Sequence, residues 1–366
     1  KNADRAVVGL TGDIIKSLES NNFELSVKKD NVQYQIPAKE FTIDKIAETL
    51  GVASNQLEKI EISVIIKEPS NDIQKSIEEQ KKSNGVDFVV GAVDFELRAV
   101  VMDATGKTKE VVFDRFGQFV ERFLEMPKEL DPNKITTGIV FNSDGTFEHV
   151  PTVVYQEGNR WFTKISSRTN STYSVVYHPL TVRSVEKHWS KVAVNDMASR
   201  MVISETETFK PDEAITRGEF ADYIVRALGL FRNECNINNT FNDVSENDIH
   251  KISILLAKEY GIIAGYSDGS FKPNEKITRE EAMAMFVNAL ELTELKVNSS
   301  VDLSQFADAD QISKWAKDDV EKSISTKIFN GRSKEKIEPK GTFTKAEAAT
   351  AIRNLLIEAK LINDKM

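Results

Sequence analysis

Residues 271–282 read FKPNEKITREEA, and the same pattern recurs as FKPDEAITRGEF at 209–220 and as IEPKGTFTKAEA at 337–348. In each copy a proline is followed, at the fifth position, by a threonine, a cation, one variable residue and a glutamate. Self-similarity at a fixed period is typical of repeat architectures. The sequence therefore predicts three copies of one structural unit in its second half.

A helix with one apolar face is expected after each motif. The apolar residues that follow Thr278 have the i, i+3, i+4, i+7, i+8 spacing of an amphipathic helix, and the other two copies repeat this spacing. A second helix is expected before each motif, with Trp189 in copy one, over residues 249–260 in copy two and beginning near Trp315 in copy three. Because one helix pair cannot bury its own apolar faces, the three copies should pack together.

Each motif also predicts a helix cap. Thr-x-x-Glu before an apolar run is a capping box, in which the threonine side chain and the glutamate side chain satisfy amides at the helix start. The three boxes are Thr216 with Glu219, Thr278 with Glu281, and Thr344 with Glu347.

The box does not require the cation at its second position. Arg217, Arg279 and Lys345 nevertheless stand at the first helical position, where the helix dipole disfavours positive charge. Two interpretations are open at this point. The free amides and the cation could bind an anion, or the cation could pair with a carboxylate of a neighbouring repeat.

Composition excludes several classes of function. The 366 residues suggest two or three domains, and the net charge of −9 argues against a nucleic-acid binder. The single cysteine, Cys235, permits no intrachain disulfide and is expected to be a plain thiol in a loop. We find no zinc spacing, no cofactor motif and no apolar run long enough to cross a membrane, so no metal, cofactor or transmembrane segment is expected. The chain begins at Lys1, which suggests a fragment or a processed form.

The first half has the pattern of a mixed α and β structure. Helix, hairpin, helix and strand are expected over residues 1–85, followed by a β-sandwich module over 86–180 with a tight turn at Asp144-Gly145. Helical spacing begins after Tyr177. The predicted fold class is thus α+β multidomain, with an all-α region of three repeats over 181–366, at about 181–231, 241–293 and 306–362.

The second half resembles the S-layer homology (SLH) repeat. The resemblance rests on Phe241-Asn242-Asp243-Val244, on residues 261–273 (GIIAGYSDGSFKP) and on Ile277-Thr278-Arg279-Glu280-Glu281-Ala282 in copy two, and on shorter matches in the other copies. It implies a pseudo-threefold helical bundle whose inter-repeat grooves bind secondary cell-wall polysaccharide, typically with a pyruvyl ketal. The first half resembles, more weakly, the β-rich region that precedes such repeats in Firmicute surface proteins.

The resemblance also implies roles for individual residues. Arg217, Arg279 and Lys345 would hold the ketal carboxylate, and Gly265 and Gly331 would let the backbone approach the sugar. Asp243 and Asp308 would accept hydrogen bonds from sugar hydroxyl groups, and Tyr266 with Trp189 or Trp315 would supply packing surface. For the tryptophans taken alone, burial in a core is the simpler expectation. Because the capping box does not use the Arg279 side chain, Arg279→Ala is expected to weaken binding without unfolding the chain.

Some positions depart from the SLH pattern. The loop of copy one lacks a glycine and carries Glu205 and Glu207, which would repel an anion. Copy three has Lys345 in place of arginine, which loses bidentate geometry, and Arg332 in place of the tyrosine. Copy two has Ile249 or His250 in place of the tryptophan. We therefore expect copy two to contribute most to binding, copy three next, and copy one to serve as scaffold.

The sequence hypothesis is a non-enzymatic protein outside the cell, anchored non-covalently to the wall or S-layer of a Gram-positive bacterium. Two rivals concern the first half alone. Residues 1–180 could hold a catalytic site that the repeats tether, or they could assemble with copies of themselves in a surface lattice.

Overall fold

The computed structural model describes residues 5–83, 85–103, 105–234, 236–297, 301–329 and 331–364, so that Cys235 and Lys1 lie outside the described residues. The chain divides into two compact units, Lys1–His178 and Pro179–Met366. The division falls inside the range 178–186 that the loss of strand alternation indicates. A β-rich first part followed by a helical second part confirms the coarse fold prediction.

Two antiparallel sheets form most of the first unit. Their strands are β1 (Arg5–Thr11), β2 (Glu24–Lys29), β3 (Val32–Pro37), β4 (Glu61–Lys67), β5 (Asp87–Met102), β6 (Thr108–Val112), β7 (Arg115–Glu125), β8 (Thr137–Phe141), β9 (Phe147–Val150), β10 (Thr152–Glu157), β11 (Arg160–Thr169) and β12 (Thr172–Tyr177). The larger sheet has the order β1-β4-β5-β12-β8-β9, with β6 added beside β5, and the smaller has the order β10-β11-β7-β3-β2.

The predicted division at residues 85 and 86 is wrong. Strand β4 pairs with β5 along Glu61–Lys67, and β3 pairs with β7, so strands from both sides of residue 85 share both sheets. A single hydrophobic cluster joins Ile62 and Tyr34 of the early strands to Leu97 and Val120 of the later ones. Hairpins and helices are local, and long-range strand pairing leaves no local signal in the sequence.

Local predictions in this unit agree with the structure. Helices α1 (Gly12–Ser20) and α2 (Ile43–Leu50) lie on either side of the β2–β3 hairpin, in the predicted order, and α3 (Asn71–Ser83) follows β4. Helix α2 ends at Gly51, whose φ of 75° places it in the left-handed region that favours glycine at a helix end. Gly145, with φ of 81°, forms the predicted tight turn between β8 and β9.

Three pairs of helices form the second unit. They are α4 (Lys191–Ser199) with α5 (Arg217–Ala227), α6 (Lys251–Glu259) with α7 (Arg279–Glu291), and α8 (Lys317–Ser325) with α9 (Lys345–Glu358). The second helix of each repeat packs on the first helix of the next one, in the pairs α5 with α6, α7 with α8, and α9 with α4. The contacts thus form a closed cycle. Among the described residues, no helix is both long and apolar enough to cross a membrane.

Candidate functional site

A closed ring of backbone hydrogen bonds lies at the centre of the three repeats. The residue before each capping threonine donates its amide to its equivalent in another repeat. Ile215 N donates to Phe343 O at 2.8 Å, Phe343 N to Ile277 O at 3.1 Å, and Ile277 N to Ile215 O at 3.1 Å. All three residues are buried. Each repeat therefore contacts both of the others through its backbone.

The helix that follows each ring residue begins against the neighbouring repeat. The first two amides of α5 donate to Glu275 O at 3.0 Å and to Pro273 O at 2.9 Å. The equivalent amides of α7 donate to Gly341 O and Pro339 O, and those of α9 to Glu213 O and Pro211 O. The threonine hydroxyl binds the third amide in each helix. The interpretation that these amides are free to bind an anion is therefore wrong.

The predicted capping boxes are present in α5, α7 and α9, with both of their hydrogen bonds. The capping glutamate has a second role, because the cation of the preceding repeat reaches it. We call these contacts the first junction (Arg217, Glu281, Tyr266), the second junction (Arg279, Glu347, Arg332) and the third junction (Lys345, Glu219, Glu205). The cations follow the same cyclic order as the amides at the helix starts, from copy one to two, two to three and three to one, which is opposite to the order of the central ring.

The first junction contains one arginine, one carboxylate and one phenol. Arg217 Nη1 lies 3.1 Å from Glu281 Oε1, and its Nε donates to Phe271 O at 2.9 Å. The Tyr266 hydroxyl donates to the same carboxylate oxygen at 2.6 Å. The guanidinium carbon of Arg217 stands 4.7 Å from the centre of the Tyr266 ring, which adds a cation–π contact.

The second junction has the same core with a second arginine in place of the phenol. Arg279 Nη1 donates to Glu347 Oε1 at 3.0 Å, and its Nε donates to Ile337 O at 2.8 Å. Arg332 Nη2 reaches both oxygens of Glu347 at 3.0 Å, and its Nη1 pairs with Glu338 at 3.1 Å.

The third junction has a second carboxylate at this position. Lys345 Nζ lies 2.8 Å from Glu219 Oε1 and 3.4 Å from Glu205 Oε1. The Tyr223 hydroxyl donates to Glu205. Burial would lower the pKa of Lys345, but the hydrogen bond that it donates to Glu219 and the charge of Glu205 raise it, so the cation is retained.

The junction cations are buried. Arg217, Arg279 and Lys345 are 6%, 3% and 6% exposed. The structure therefore supports the alternative in which each cation pairs with a neighbouring repeat's carboxylate. It also contradicts the reasoning that Arg279 can be removed without cost to the fold, because a buried ion pair that loses one partner leaves an uncompensated charge.

Two of the capping glutamates hold their charge more firmly than a free carboxylate. Burial alone would raise the pKa of Glu281, but hydrogen bonds from Tyr266 and the Thr278 amide and the charge of Arg217 lower it below its ordinary value. The pKa of Glu219 is lowered in the same way, against burial, by Lys345 and the Thr216 amide.

A groove of about 640 Å³ opens at the third junction. The groove is lined by the loop of copy one, by Ile249 and His250 of copy two, and by Tyr223 and Lys345. Its lining contains more carboxylates than cations, since it includes Glu205, Glu207, Glu213 and Glu219 but only Lys210 and Lys345. Copy one thus lines a groove as well as acting as scaffold, but one whose charge disfavours an anion.

At the position two residues before its first helix, each repeat has a large exposed apolar side chain. Trp189 is 63% exposed, Ile249 is 89% exposed and Trp315 is 59% exposed. The expectation that the tryptophans are core residues is therefore wrong. Because Ile249 lies at the groove of the third junction, cyclic equivalence places Trp315 beside the first junction and Trp189 beside the second. Packing within the unit does not account for exposed apolar side chains at equivalent positions, so these side chains mark a candidate binding surface.

The remaining predicted residues have structural contacts. Asp243 accepts hydrogen bonds from the amides of Phe271 and Lys272 at 2.8 and 2.7 Å. Asp308 accepts the equivalent bonds from Ile337 and Glu338 at 2.9 and 2.7 Å. These carboxylates therefore close loops, a role that the sequence interpretation did not include.

The two glycines are also required by packing. A Cβ on Gly265, whose φ is 80°, would lie 2.5 Å from the Phe241 ring. A Cβ on Gly331 would lie 2.5 Å from Ser333 O and 3.0 Å from the Phe306 ring. Either substitution would push a loop away from its junction.

These features define a bundle of three helix pairs, closed by a backbone ring and by buried ion pairs between successive repeats. The S-layer homology domain family matches residues 182–221, 240–283 and 305–349. The chain therefore contains three S-layer homology domains, and the resemblance found in the sequence is confirmed.

Relatives with assigned names include enzymes and surface proteins. An amylopullulanase of Thermoanaerobacterium thermosulfurigenes is 26% identical over 96% of this chain and 17% of its own length. The surface-layer 125 kDa protein of Lysinibacillus sphaericus is 31% identical over 44% of this chain and 13% of its own length. A cellulosome-anchoring protein of Acetivibrio thermocellus is 28% identical over 40% of this chain and 33% of its own length. The chain thus spans a minor part of each relative.

Proposed function

We propose that this chain is a non-catalytic anchor that retains a protein on the outside of a Gram-positive cell wall by binding an acidic secondary cell-wall polysaccharide. The observation that carries the proposal is the closed ring of three S-layer homology domains, with an exposed apolar side chain beside each junction. The names of the cellulosome-anchoring and surface-layer relatives support attachment to the cell surface. We further propose that the polymer carries pyruvyl ketals, whose carboxylate supplies the negative charge.

Polymer recognition on this proposal combines a sugar-packing surface with nearby cations. Trp315 and Trp189 provide flat apolar faces, which suit the C–H faces of sugar rings because aromatic rings carry negative charge on their faces. Arg332 and Lys272 provide positive charge that reaches solvent, with side chains 34% and 37% exposed. Arg217, Arg279 and Lys345 act beneath this surface by fixing the positions of the loops.

The three junctions should not bind the acidic polymer equally. At the first junction the third member, Tyr266, is neutral, and Lys272 Nζ lies 4.8 Å from the centre of its ring. At the second junction the third member is the cation Arg332, and at the third it is the carboxylate Glu205. We therefore assign binding to the first and second junctions. Two weak sites on one rigid unit would give avidity along a repeating polymer.

Binding to isolated wall polysaccharide tests the proposal. The purified chain should bind acidic polymer from a Gram-positive wall and lose that binding after mild acid has removed the pyruvyl ketals. Trp315→Ala should weaken binding roughly tenfold, the effect of losing an aromatic contact of about 1.4 kcal/mol. Its unfolding transition should be unchanged, because the side chain is exposed.

Phe23→Ala is the matched control, since Phe23 is 57% exposed and lies in the other unit. It should bind like the parent chain. Binding that survives removal of the ketals would contradict the proposal that the chain recognises the ketal carboxylate. Binding that Trp315→Ala and Trp189→Ala both leave unchanged would contradict the location of the site.

The relatives that are enzymes do not require a catalytic site in this chain. The matched region is a small share of the amylopullulanase, 17% of its length. The proposed role as an anchor is compatible with a catalytic domain elsewhere in a longer protein.

A further inference from the structure

The smaller sheet of the first unit presents one face to the core and one face to solvent. Along β7, Val120, Arg122 and Leu124 are buried, whereas the alternate residues Glu121 and Phe123 are half-buried. Successive side chains of a strand point to opposite faces, so Glu121 and Phe123 lie on the outward face.

Strand register brings further aromatic residues to this outward face. Lys164 of β11 lies opposite Phe123, so Phe162, two residues earlier, shares its face. Tyr155 of β10 lies opposite Phe162. The rings of Tyr155 and Phe162 are 5.6 Å apart and nearly parallel, at 21°, and the Phe123 ring lies 6.3 Å from Tyr155 and is nearly perpendicular to it, at 87°. We call Phe123, Tyr155 and Phe162 the aromatic platform.

Hydrogen-bonding side chains continue the same face beyond the platform. Gln33 of β3 lies opposite Phe123, and Gln35 lies opposite Glu121. Both glutamines are half-buried. Gln33 Nε2 donates to Gln35 Oε1 at 3.4 Å, and Gln35 Nε2 donates to Glu24, which fixes the two amides side by side. Each amide has a second N–H that can donate to a sugar hydroxyl group.

Two ion pairs lie on this face. Lys164 Nζ lies 2.7 Å from Glu121, and Arg160 lies 3.3 Å from Glu125 while its guanidinium stands 5.2 Å from the Phe162 ring centre. Glu157 lies opposite Arg160 on the same face and adds a third carboxylate to these two cations, so the charge around the platform disfavours a polyanion. Burial and the nearby Glu157 and Glu121 charges also raise the pKa of Tyr155, so that its hydroxyl remains a donor.

We propose that the outward face of the smaller sheet binds a neutral hexose polysaccharide, with the aromatic platform against sugar rings and Gln33 and Gln35 against hydroxyl groups. Adjacent strands lie about 4.8 Å apart, close to the length of one sugar ring, so the three platform strands span roughly two sugar units. This site lies in residues 1–178 and is independent of the proposed wall anchor. The chain would then have two glycan specificities. The sheet face would bind a neutral polymer, and the junctions would bind an acidic one.

A structural explanation of the platform makes a different prediction. Cross-strand aromatic pairs stabilise sheets by about 0.2–1 kcal/mol, whether or not a ligand binds. On that explanation alone, substitutions would change stability and nothing else.

Affinity electrophoresis of the full chain in gels containing hydroxyethyl cellulose or soluble starch separates these alternatives. The parent chain should be retarded by at least one of these neutral polymers. The affinity measured from this retardation should fall roughly tenfold in Tyr155→Ala. In Tyr155→Phe, which keeps the ring, most of the affinity should remain. Gln33→Ala, a change that removes no ring, should weaken it less than Tyr155→Ala.

Phe147→Ala is the matched control, because Phe147 is a half-buried aromatic of the larger sheet with the Phe88 ring at 5.7 Å. It should be destabilised to a similar degree and still be retarded. Trp315→Ala should also be retarded, so that a failure here is distinct from a failure of the wall anchor. Absence of retardation in both polymers would overturn the proposal. Equal retardation of Tyr155→Ala and the parent chain would also overturn it. So would a dimer that Tyr155→Ala dissociates, because the face would then be an interface between two copies of the chain.

Discussion

The second and third junctions share one backbone arrangement but surround the capping glutamate with opposite charges. Glu347 receives two arginines, whereas Glu219 shares one lysine with a second carboxylate. The amides, the capping boxes and the central ring are nevertheless the same. The comparison teaches that closure of the three repeats depends on the buried pair and the backbone, while the third member of each junction varies without changing that arrangement.

The largest expected effect comes from breaking the buried pair of the second junction. Glu347→Gln retains a residue suited to the capping box but removes the charge beside Arg279, whose side chain is 4% exposed. We expect the free energy of unfolding of the second unit to fall by about 3 kcal/mol, the typical cost of breaking a buried ion pair. Calorimetry of the whole chain would measure this as a lower transition temperature.

Glu338→Gln is the control for this change. Glu338 also pairs with an arginine, but its side chain is 41% exposed, so we expect a change within about 0.5 kcal/mol. Equal effects of the two substitutions would contradict the distinction between the buried pair and the variable third member.

A smaller effect should appear on acidification, through the glutamates of the first and third junctions. The pKa values of Glu219 and Glu281 are lowered in the folded protein, so their contribution to stability is present above the unfolded pKa of about 4.3 and is lost as pH falls through the folded pKa. The transition temperature of the second unit should therefore fall below about pH 4.3. Glu219→Gln should reduce that dependence on pH, and an unchanged slope would refute this assignment.

The smallest expected effect comes from making the third junction resemble the others. In the first two junctions the arginine Nε donates to the carbonyl of residue 271 or 337, and the equivalent carbonyl in copy one is that of Phe209. Lys345→Arg should reproduce this bond and change the free energy of unfolding by less than about 1 kcal/mol, in the stabilising direction. Thermal unfolding measures it, and a clear loss of stability would show that the loop of copy one cannot accept the guanidinium.

The sequence predicted the features of this fold that are local. A capping box involves residues three apart, and an apolar stripe involves one helix, so both can be read from Thr278, Glu281 and the residues that follow them. The partner of Arg279 is Glu347, 68 residues away. Only the packing of whole repeats decides that contact, which is why the ion pair remained one of two interpretations.

Two predictions failed because the local spacing of apolar residues does not report the structure that decided them. Tryptophan is usually buried, but Trp189 and Trp315 stand in turns before their helices, and helix spacing does not describe such positions. The separate module proposed for residues 1–85 failed because β3 and β4 pair with β7 and β5, which lie beyond it in sequence.

A double-mutant cycle on Arg279 and Glu347 tests the central claim most directly. The unfolding free energy of the second unit would be measured for the parent chain, Arg279→Ala, Glu347→Ala and the double variant. If the cation locks one repeat to the next, the two single losses should exceed the double loss by about 2 kcal/mol. A coupling near zero would mean that Arg279 does not hold the neighbouring repeat, and that its place at the helix start needs another explanation.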